Sequence, residues 1–306
     1  MSWTTRDMPD QHGRTALITG ANSGIGLAAA RALAARGAHV ILACRSEDKA
    51  AAAMADIQRK LPDASLEFLP LDLSSQKAVH ESAAILRSRH NKLDLLINNA
   101  GIMWVQRLLT DDGFESQLAT NHFGHFALTG LLLDLLVDVP GSRIVTVSSI
   151  AHRGGRICFD DLSLASGYSR QRAYSQSKVA NLIFAIELQR RLAAAGAQTI
   201  SVACHPGVSG TNLVNPGVIE QSPLKIGALV KLIMPLVTQS PKNGALPTLY
   251  AATADVTPGG YYGPARLKET MGPPTEAYAT RYARDEEIGE RFWHMSCALT
   301  DLHYPA

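Results

Sequence analysis

The sequence predicts an α/β protein in which a doubly wound parallel β-sheet carries helices on both faces. Short apolar segments alternate with longer helix-like patterns along most of the first 207 residues. The segments are apolar along their whole length, as is typical of parallel strands buried on both faces. A glycine-rich stretch lies between the first such segment and the first helical pattern, where dinucleotide-binding folds place their phosphate-binding turn.

Each predicted strand is followed by a predicted helix, and right-handed crossovers between them would build the sheet. The predicted strands are residues 15–20, 39–45, 65–73, 93–101, 142–149 and 199–207. The predicted helices are residues 27–37, 46–60, 75–89, 114–136 and about 173–195. Gly37 marks the end of the first helix, and Ser46 is the candidate N-cap of the second.

The chain after residue 207 departs from this alternation. It is richer in proline and glycine, and it holds an apolar segment at 224–237 and a turn-like PGGYYGP at 258–264. Because no linker is evident, we expect a single domain over residues 1–306. Its cofactor-binding half would cover about 14–150 and its catalytic and substrate-binding half about 151–306, with a lipophilic lid at about 209–240.

Composition excludes several classes of function. The 306 residues carry a net charge of +2 and 18% charged side chains, which does not favour nucleic-acid binding. The four cysteines have neither metal-ligand nor disulfide spacing. The N-terminal residues lack the order of a secretory signal, and no uninterrupted run of 18 apolar residues occurs. We therefore expect a cytoplasmic protein without an integral membrane segment.

The stretch TGANSGIG, residues 19–26, is the candidate phosphate-binding turn. Gly20 permits a tight turn, while Gly24 and Gly26 let the backbone approach a pyrophosphate and let the helix pack on the sheet. Backbone N–H groups at the start of a helix attract an anion. This position, after a strand and before a helix, predicts a Rossmann-type nucleotide site.

Four motifs occur in a characteristic order: TGxxxGIG, NNAG at 98–101, a serine closing the fifth strand, and YxxxK at 174–178. Together they resemble the short-chain dehydrogenase/reductase family over about residues 14–212. The details ANSGIG, LACR, NNAGIM, RIVTVSSIAH, AYSQSKVAN and HPGVSGTNL are most similar to the retinol dehydrogenase-like branch, and light-dependent protochlorophyllide reductases are similar too. The resemblance implies hydride transfer between a nicotinamide cofactor and a small-molecule carbonyl or alcohol substrate.

The end of the second strand predicts which nicotinamide binds. Enzymes that use NAD usually have an acidic residue there for the ribose hydroxyls, whereas this sequence has Arg45. An arginine fork suits a phosphate, so we expect NADP(H), with the Ser46 hydroxyl as a further phosphate ligand. The alternative is a surface arginine that contacts no ligand.

The resemblance assigns further residues to the cofactor. Asp72 would bind the adenine amino group with Leu73 alongside, and Val208 would meet the nicotinamide carboxamide through its backbone. The other residues expected to line the cofactor are Asn22, Ser23, Ile25, Asn99, Ala100, Gly101, Pro206, Gly207 and Thr211. Asn98 and Asn99 could equally be structural, since asparagine bonds backbone at sheet ends.

Tyr174 and Lys178 are four residues apart and therefore share a helix face. A tyrosine can protonate the oxygen that hydride transfer generates, but its ordinary pKa of about 10 is high for work near neutrality. A nearby ammonium would lower that pKa. By resemblance the two are the catalytic pair, and Lys178 would also hold the ribose. The alternative is a solvated helix face.

Two further catalytic residues come from the resemblance. Ser148 and Ser149 both close the fifth strand, and we choose Ser149 to hydrogen-bond the substrate carbonyl. Asn121 would bind backbone and a water that relays protons toward Lys178. His122 and His125 beside it have a spacing that a metal could use, but no third ligand is evident, and we expect no metal.

Ser149 and Tyr174 are 25 positions apart, a longer interval than in many family members, and the extra residues would form a flap near the substrate. Tyr168 in that flap is a rival tyrosine, although it has Arg172, not lysine, four residues on.

Candidate pocket residues are Ile102, Met103, 150–152 and the apolar 209–237 segment, which suggest a lipophilic substrate. These apolar residues could instead pack on the body or form the interface of a homo-oligomer. Two alternative functions stay open: reduction of a conjugated C=C bond, and NADP(H)-responsive binding without catalysis.

Overall fold

A computed structural model gives the structure of residues 2–208 and 239–304. The strands are β1 (Thr15–Thr19), β2 (His39–Cys44), β3 (Leu66–Pro70), β4 (Leu95–Asn98), β5 (Arg143–Val147), β6 (Ile200–Cys204), β7 (Tyr261–Arg266) and β8 (Met271–Glu276). The α-helices are α1 (Gly24–Ala34), α2 (Glu47–Gln58), α3 (Gln76–Arg89), α4 (Ser116–Leu118), α5 (Gly124–Leu132), α6 (Arg170–Ala194), α7 (Pro241–Gly244), α8 (Leu246–Thr253) and α9 (Glu286–Thr300).

The eight strands form one sheet in the order β3-β2-β1-β4-β5-β6-β7-β8. Every neighbouring pair is parallel except β7 and β8. Strand order reverses at the neighbouring pair β1 and β4, where Leu17 lies opposite Leu96. This is the doubly wound topology that the sequence predicts. Ligands of such sheets bind at the reversal point, outside the carboxyl ends of the strands.

Both faces of the sheet are buried, which explains why the strands are apolar along their length. On one face Ile18, Leu42 and Ile97 pack with Leu33 of α1. On the other face Leu17, Ile41 and Leu96 pack with residues of α3, α5 and α6. Consecutive strand residues therefore enter opposite layers, as the pleat requires.

The predicted helix at 114–136 is broken into shorter pieces. It consists of α4, a π-helical turn at Ala119–Phe123, α5 and a 3₁₀ turn at Leu133–Leu135. The next predicted helix begins earlier than expected, at Arg170, because the Ser169 side chain accepts a hydrogen bond from the Arg172 N–H and caps it.

The description of residues 258–264 as turn-like is only partly right. Gly259 has a φ of +73°, but Tyr261 begins β7 and is fully buried. The antiparallel partner β8 contains Pro273 and Pro274, and proline is confined to edge strands such as this one. The segment at 224–237, and the proposed lid up to residue 238, lie outside the described residues. Within residues 2–208 and 239–304, no helix has the length and apolar character needed to cross a membrane.

Candidate active site

A cleft of about 720 Å³ lies at the carboxyl ends of the central strands. This volume falls in the range of small-molecule sites. The predicted residues that line it are Gly20, Asn22, Ser23, Gly24, Ile25, Gly26, Arg45, Ser46, Asp72, Leu73, Asn99, Ala100, Gly101, Tyr174, Lys178 and Pro206. The predicted Gly207 and Val208 follow Pro206, and Thr211 lies outside the described residues.

The glycine turn folds directly against the NNAG segment. A Cβ atom on Gly26 would lie 2.4 Å from the carbonyl oxygen of Gly20 and 2.6 Å from Nδ2 of Asn99, so a side chain cannot fit there. Gly20 adopts a φ of +67°, which favours glycine. Glycine at these two positions therefore lets the turn pack closely on the NNAG segment, and a pyrophosphate at the start of α1 stays a prediction.

Thr19 begins the TGANSGIG stretch, but the sequence indicated no role for its side chain. It connects the NNAG segment to the end of β1 by hydrogen bonds. Its Oγ1 accepts hydrogen bonds from the N–H groups of Asn99 and Ala100, both at 2.9 Å. The Asn99 side chain returns a bond to the Thr19 carbonyl at 2.8 Å, whereas buried Asn98 donates to Thr129 at 3.0 Å. Asn98 is thus structural, and Asn99 combines a structural bond with a place in the cleft.

Two cations lie at the end of the cleft beyond β2. The Arg45 side chain is 78% exposed and lies 3.9 Å from an Asp72 carboxyl oxygen. Lys49, one turn into α2, also lines the cleft and was missed by the sequence analysis. The Ser46 oxygen accepts a hydrogen bond from the Lys49 N–H at 3.4 Å, so Ser46 caps α2 and its hydroxyl can still donate. The signal that could have revealed Lys49 was its position in the first turn after Arg45.

Asn121 lies in the π-helical turn, and its side-chain amide is held by three hydrogen bonds. Oδ1 accepts from the Ile102 N–H at 2.8 Å, while Nδ2 donates to the Ile102 carbonyl at 3.0 Å and to Ser177 Oγ at 2.8 Å. The expected contact with backbone is therefore present, and it ties the loop after β4 to the helix that bears Tyr174. A π turn tolerates an asparagine that a regular helix would disfavour.

His122 and His125 have separate partners and do not share a metal-like site. His122 stacks on Phe292 with a ring-centroid separation of 4.8 Å, and its Nε2 lies 3.3 Å from Ser296 Oγ. His125 instead contacts Thr19 and the Asn121 carbonyl. Burial lowers the pKa of His122 to about 3 and that of His125 to about 4. Both rings are therefore neutral at physiological pH.

The Lys178 ammonium lies 5.7 Å from the centre of the Tyr174 ring and donates to the Val147 carbonyl at 3.2 Å. Lys178 is only 4% exposed, and burial lowers its pKa to about 8. Burial raises the pKa of Tyr174, while a hydrogen bond with Ser149 acts in the opposite direction. The expectation that Lys178 lowers the pKa of Tyr174 is not met here, because the ammonium faces the end of β5.

The two serines after β5 have different surroundings. Ser148 is buried and its hydroxyl donates to the Lys178 carbonyl at 2.6 Å. Ser149 accepts from the Ala151 N–H at 3.2 Å and lies near the Tyr174 side chain, whose pKa it lowers. Ser148 lines the cleft and Ser149 does not, but the Ser148 proton is engaged inside the fold, so Ser149 stays the predicted hydroxyl for a substrate beside Tyr174.

A family model described as short chain dehydrogenase matches residues 14–220, which is more than half of the chain. The chain belongs to this family. Human retinol dehydrogenase 13 is 40% identical over 96% of this chain and 86% of its own length. A zebrafish (Danio rerio) polyprenol dehydrogenase is 36% identical over 98% and 91%. A crystal structure of a protein from Mycobacterium Paratuberculosis superimposes with a TM-score of 0.83, at 42% identity and full coverage of both chains.

In this short-chain dehydrogenase the rival tyrosine has a structural environment. The Tyr168 hydroxyl donates to the Val105 carbonyl at 3.0 Å and accepts from Gln117 Nε2 at 3.1 Å. Burial raises its pKa to about 12. Tyr168 thus fastens the segment before α6 to the loop after β4, and Tyr174 is the tyrosine that lines the cleft.

The substrate side of the dehydrogenase cleft is apolar. Ile102 and Met103 line it as expected, and Val105, Leu108 and Leu109 of the same loop join them. Leu108 and Leu109 are 62% and 51% exposed. The expected residues 150–152 instead form a 3₁₀ turn, Ile150–Gly154, that Ser149 caps and in which His152 is buried.

Proposed function

We propose that this short-chain dehydrogenase is an NADP(H)-dependent oxidoreductase that interconverts a carbonyl and an alcohol on a small lipophilic molecule. One observation carries the proposal. The Tyr174 side chain, which lies near Ser149 and one helical turn from buried Lys178, lines the same cleft as the glycine turn. A proton donor and a nucleotide-binding turn therefore open into one space.

Reduction adds a hydride to the carbonyl carbon and a proton to its oxygen, and the nicotinamide supplies or accepts the hydride. Tyr174 is the proton donor. Burial raises its pKa, so the hydroxyl holds its proton near neutrality, and for efficient transfer that pKa must fall toward the operating pH when the site is filled. Ser149 orients the carbonyl and stabilises charge on its oxygen. Lys178, with a pKa of about 8, carries its charge at pH 7 and holds the ribose.

Asn121 positions the site: its amide holds Ile102 on one side and Ser177 on the other. Its assigned part in a proton relay toward Lys178 rests on the family resemblance. In the reverse direction the same relay would carry the alcohol proton away from Tyr174.

The preference for NADP(H) is supported by the two cations beyond β2. Arg45 and Lys49 both border the cleft, and the Ser46 hydroxyl lies between them in sequence. A 2′-phosphate there would meet two positive charges and a donor, whereas an enzyme that prefers NAD would place an acidic side chain there.

A lipophilic substrate is supported by the apolar loop residues at the mouth of the cleft. Val105, Leu108 and Leu109 offer aliphatic surface next to Ile102 and Met103. The relatives named for retinol and polyprenol act, by those names, on isoprenoid alcohols. We propose a long-chain or ring-bearing alcohol, aldehyde or ketone for this protein.

The experiment measures NADPH consumption by the purified protein with a panel of lipophilic aldehydes, ketones, quinones and conjugated enones. NADH is tested in parallel, and the products are identified.

Tyr174→Phe should lower kcat at least about 10³-fold with NADPH affinity nearly unchanged, since only the proton donor is lost. Tyr168→Phe is the matched control and should keep kcat within about fivefold. Turnover retained in Tyr174→Phe would refute the assignment, and reduction of a C=C bond would favour that alternative.

Arg45→Ala tests the cofactor preference separately. It should weaken NADPH binding by at least about tenfold and NADH binding much less, since a charge-assisted contact contributes about 1.5–3 kcal/mol. Equal losses for the two nucleotides would mean that Arg45 does not contact the 2′-phosphate.

A further inference from the structure

Three metal-binding side chains converge at the opposite end of the sheet from the cleft. His39 begins β2, Glu67 lies in β3, and His90 follows the end of α3. Their candidate ligand atoms all lie within 4.8 Å of one another. Within residues 2–208 and 239–304, this is the one group of three or more such residues with that spacing.

The fold itself places these residues together. In the parallel pair β2 and β3, Ile41 lies opposite Glu67, so His39, two residues before Ile41, shares a face with Glu67. Helix α3 packs on that face, where its Leu86 and Ile41 belong to one buried cluster. Because α3 is packed on the sheet, the residue that follows it, His90, lies next to His39 and Glu67. The positions of all three residues are thus set by the strands and the helix end.

The distances are close to those of a metal centre. Glu67 Oε2 lies 3.3 Å from His39 Nε2 and 2.8 Å from His90 Nε2. Ligands of a tetrahedral zinc ion at about 2.0–2.2 Å from the metal are about 3.3 Å from one another. Small rotations of the two imidazole rings would bring all three atoms to a common ion.

Neighbouring groups orient the ligands. Ser65 Oγ lies 2.7 Å from the other ring nitrogen of His39, and Arg89 donates to Glu67 Oε1 at 2.9 Å. The second carboxylate oxygen is thus left directed at the imidazoles. The three side chains are 18–28% exposed, so solvent can deliver an ion and a water can complete its coordination. Such outer hydrogen bonds are typical of histidine and carboxylate metal ligands.

We propose that His39, Glu67 and His90 bind one divalent transition-metal ion, best Zn²⁺, with water in the fourth position. Two imidazoles and one carboxylate suit zinc, whereas Mg²⁺ and Ca²⁺ prefer oxygen ligands throughout. The ion would link β2, β3 and α3. Because β2 reaches the cleft only at its far end, near Arg45, the site stabilises the nucleotide-binding half and takes no part in the chemistry.

The contrasting interpretation is an ion-free cluster in which both imidazoles donate hydrogen bonds to the same carboxylate. Calorimetric titration of the full chain with zinc sulfate, after chelator treatment, distinguishes the two. We expect one equivalent of zinc to bind and to raise Tm, because an ion that binds only the folded state stabilises it. His39→Asn, Glu67→Gln and His90→Asn should each weaken that binding more than about tenfold.

The matched control is His294→Asn, which breaks an exposed His294–Glu290 pair at 3.7 Å that has the same chemistry but only two ligands. It should leave zinc affinity unchanged.

Substitution with Co²⁺ should give visible absorption without a thiolate charge-transfer band, which distinguishes this site from cysteine binding. Each variant is first shown to unfold cooperatively in chelator; if one fails to fold, the other two carry the test. An unchanged Tm of the parent protein in excess zinc, or unaltered zinc affinity in Glu67→Gln and His90→Asn, would overturn the proposal.

Discussion

Thr19 Oγ1 and His125 Nε2 lie 2.8 Å apart, and this buried contact joins the two anchors of the loop after β4. Thr19 holds the start of the loop by accepting from Asn99 and Ala100. Asn121 holds the loop slightly further along, at Ile102. His125 lies between the anchors, because its Nδ1 is 2.9 Å from the Asn121 carbonyl.

The hydrogen bonds determine the tautomer of His125. A carbonyl only accepts, so Nδ1 carries the proton, and Nε2 accepts from the Thr19 hydroxyl. Burial lowers the pKa of His125 to about 4, and the nearby positive charge of Lys178 acts in the same direction. The ring is therefore a neutral bridge at physiological pH, and it positions Asn121 rather than exchanging protons.

We predict that His125→Asn and His125→Gln differ in activity. An asparagine amide can reach the Nδ1 position and keep donating to Asn121, whereas a glutamine amide reaches the Nε2 position and preserves only the Thr19 contact. Each variant should lose about 1–3 kcal/mol of stability through one unpaired buried group. We expect His125→Gln to lower kcat about tenfold and His125→Asn clearly less, measured on protein of verified folded fraction. Equal kcat values alongside equal losses of stability would indicate a purely structural role.

The contact between Thr19 and His125 also illustrates which features of the site could not be predicted from the sequence. The glycine turn, NNAG and the Tyr174–Lys178 pair have local spacings with chemical meaning, so a linear pattern revealed them. Thr19 belongs to the TGxxxGIG motif and His125 lies three residues after His122, but neither pattern reveals their contact, which spans 106 positions. The break in the helix at Asn121 was equally hidden, since the π turn depends on contacts with the loop after β4 that the sequence does not show.

The same reasoning explains the missed strands. Five of the six predicted strands are mostly apolar and lie in the inner, parallel part of the sheet, whereas β3 lies at the edge and carries Glu67 between apolar residues. In contrast, β8 has the sequence MGPPTE at a sheet edge, and only its pairing with β7, where Tyr262 lies opposite Glu276, makes it a strand. Apolar runs therefore reveal the parallel strands, whereas β8 depends on its pairing with β7.

Lys178 should make stability depend on pH in a defined direction. Its pKa falls from 10.5 to about 8 on folding because burial disfavours the charged form. The unfolded chain therefore binds more protons between these values, and stability rises with pH across that window. The cost of burying the charge is about 3 kcal/mol below pH 8 and vanishes above about pH 10.5.

Lys178→Met removes this cost, so its stability relative to the parent protein should change with pH. We expect the advantage of methionine to shrink by roughly 2 kcal/mol between pH 7 and pH 10, as measured by urea unfolding of nucleotide-free protein. Lys77→Met, at a side chain that is 85% exposed, is the control and should show a constant difference. A constant difference for Lys178→Met as well would mean that the buried lysine keeps its ordinary pKa.

Two glycines of α5 provide a matched test of how tightly this helix packs against the cleft wall. A Cβ atom on Gly124 would lie 2.3 Å from the backbone oxygen of Leu73, a cleft residue, and backbone cannot easily move there. A Cβ atom on Gly130 would lie 2.8 Å from the ring of Tyr304, whose hydroxyl donates to the Phe126 carbonyl at 2.6 Å. The same substitution therefore meets backbone at one position and a packed side chain at the other.

We predict that Gly124→Ala lowers the free energy of unfolding by about 2–3 kcal/mol, as overpacking in a rigid site does. It should also weaken NADPH binding, because Leu73 must move with the helix. Gly130→Ala should cost less than Gly124→Ala, since its obstacle is a side chain and the gain in helix propensity of about 1 kcal/mol offsets part of the displacement of Tyr304. Urea unfolding and nucleotide titration of both variants provide the comparison. If Gly124→Ala were as stable as Gly130→Ala and bound NADPH normally, α5 would not be held rigidly against Leu73, and the loop after β3 would have to accommodate the added methyl group.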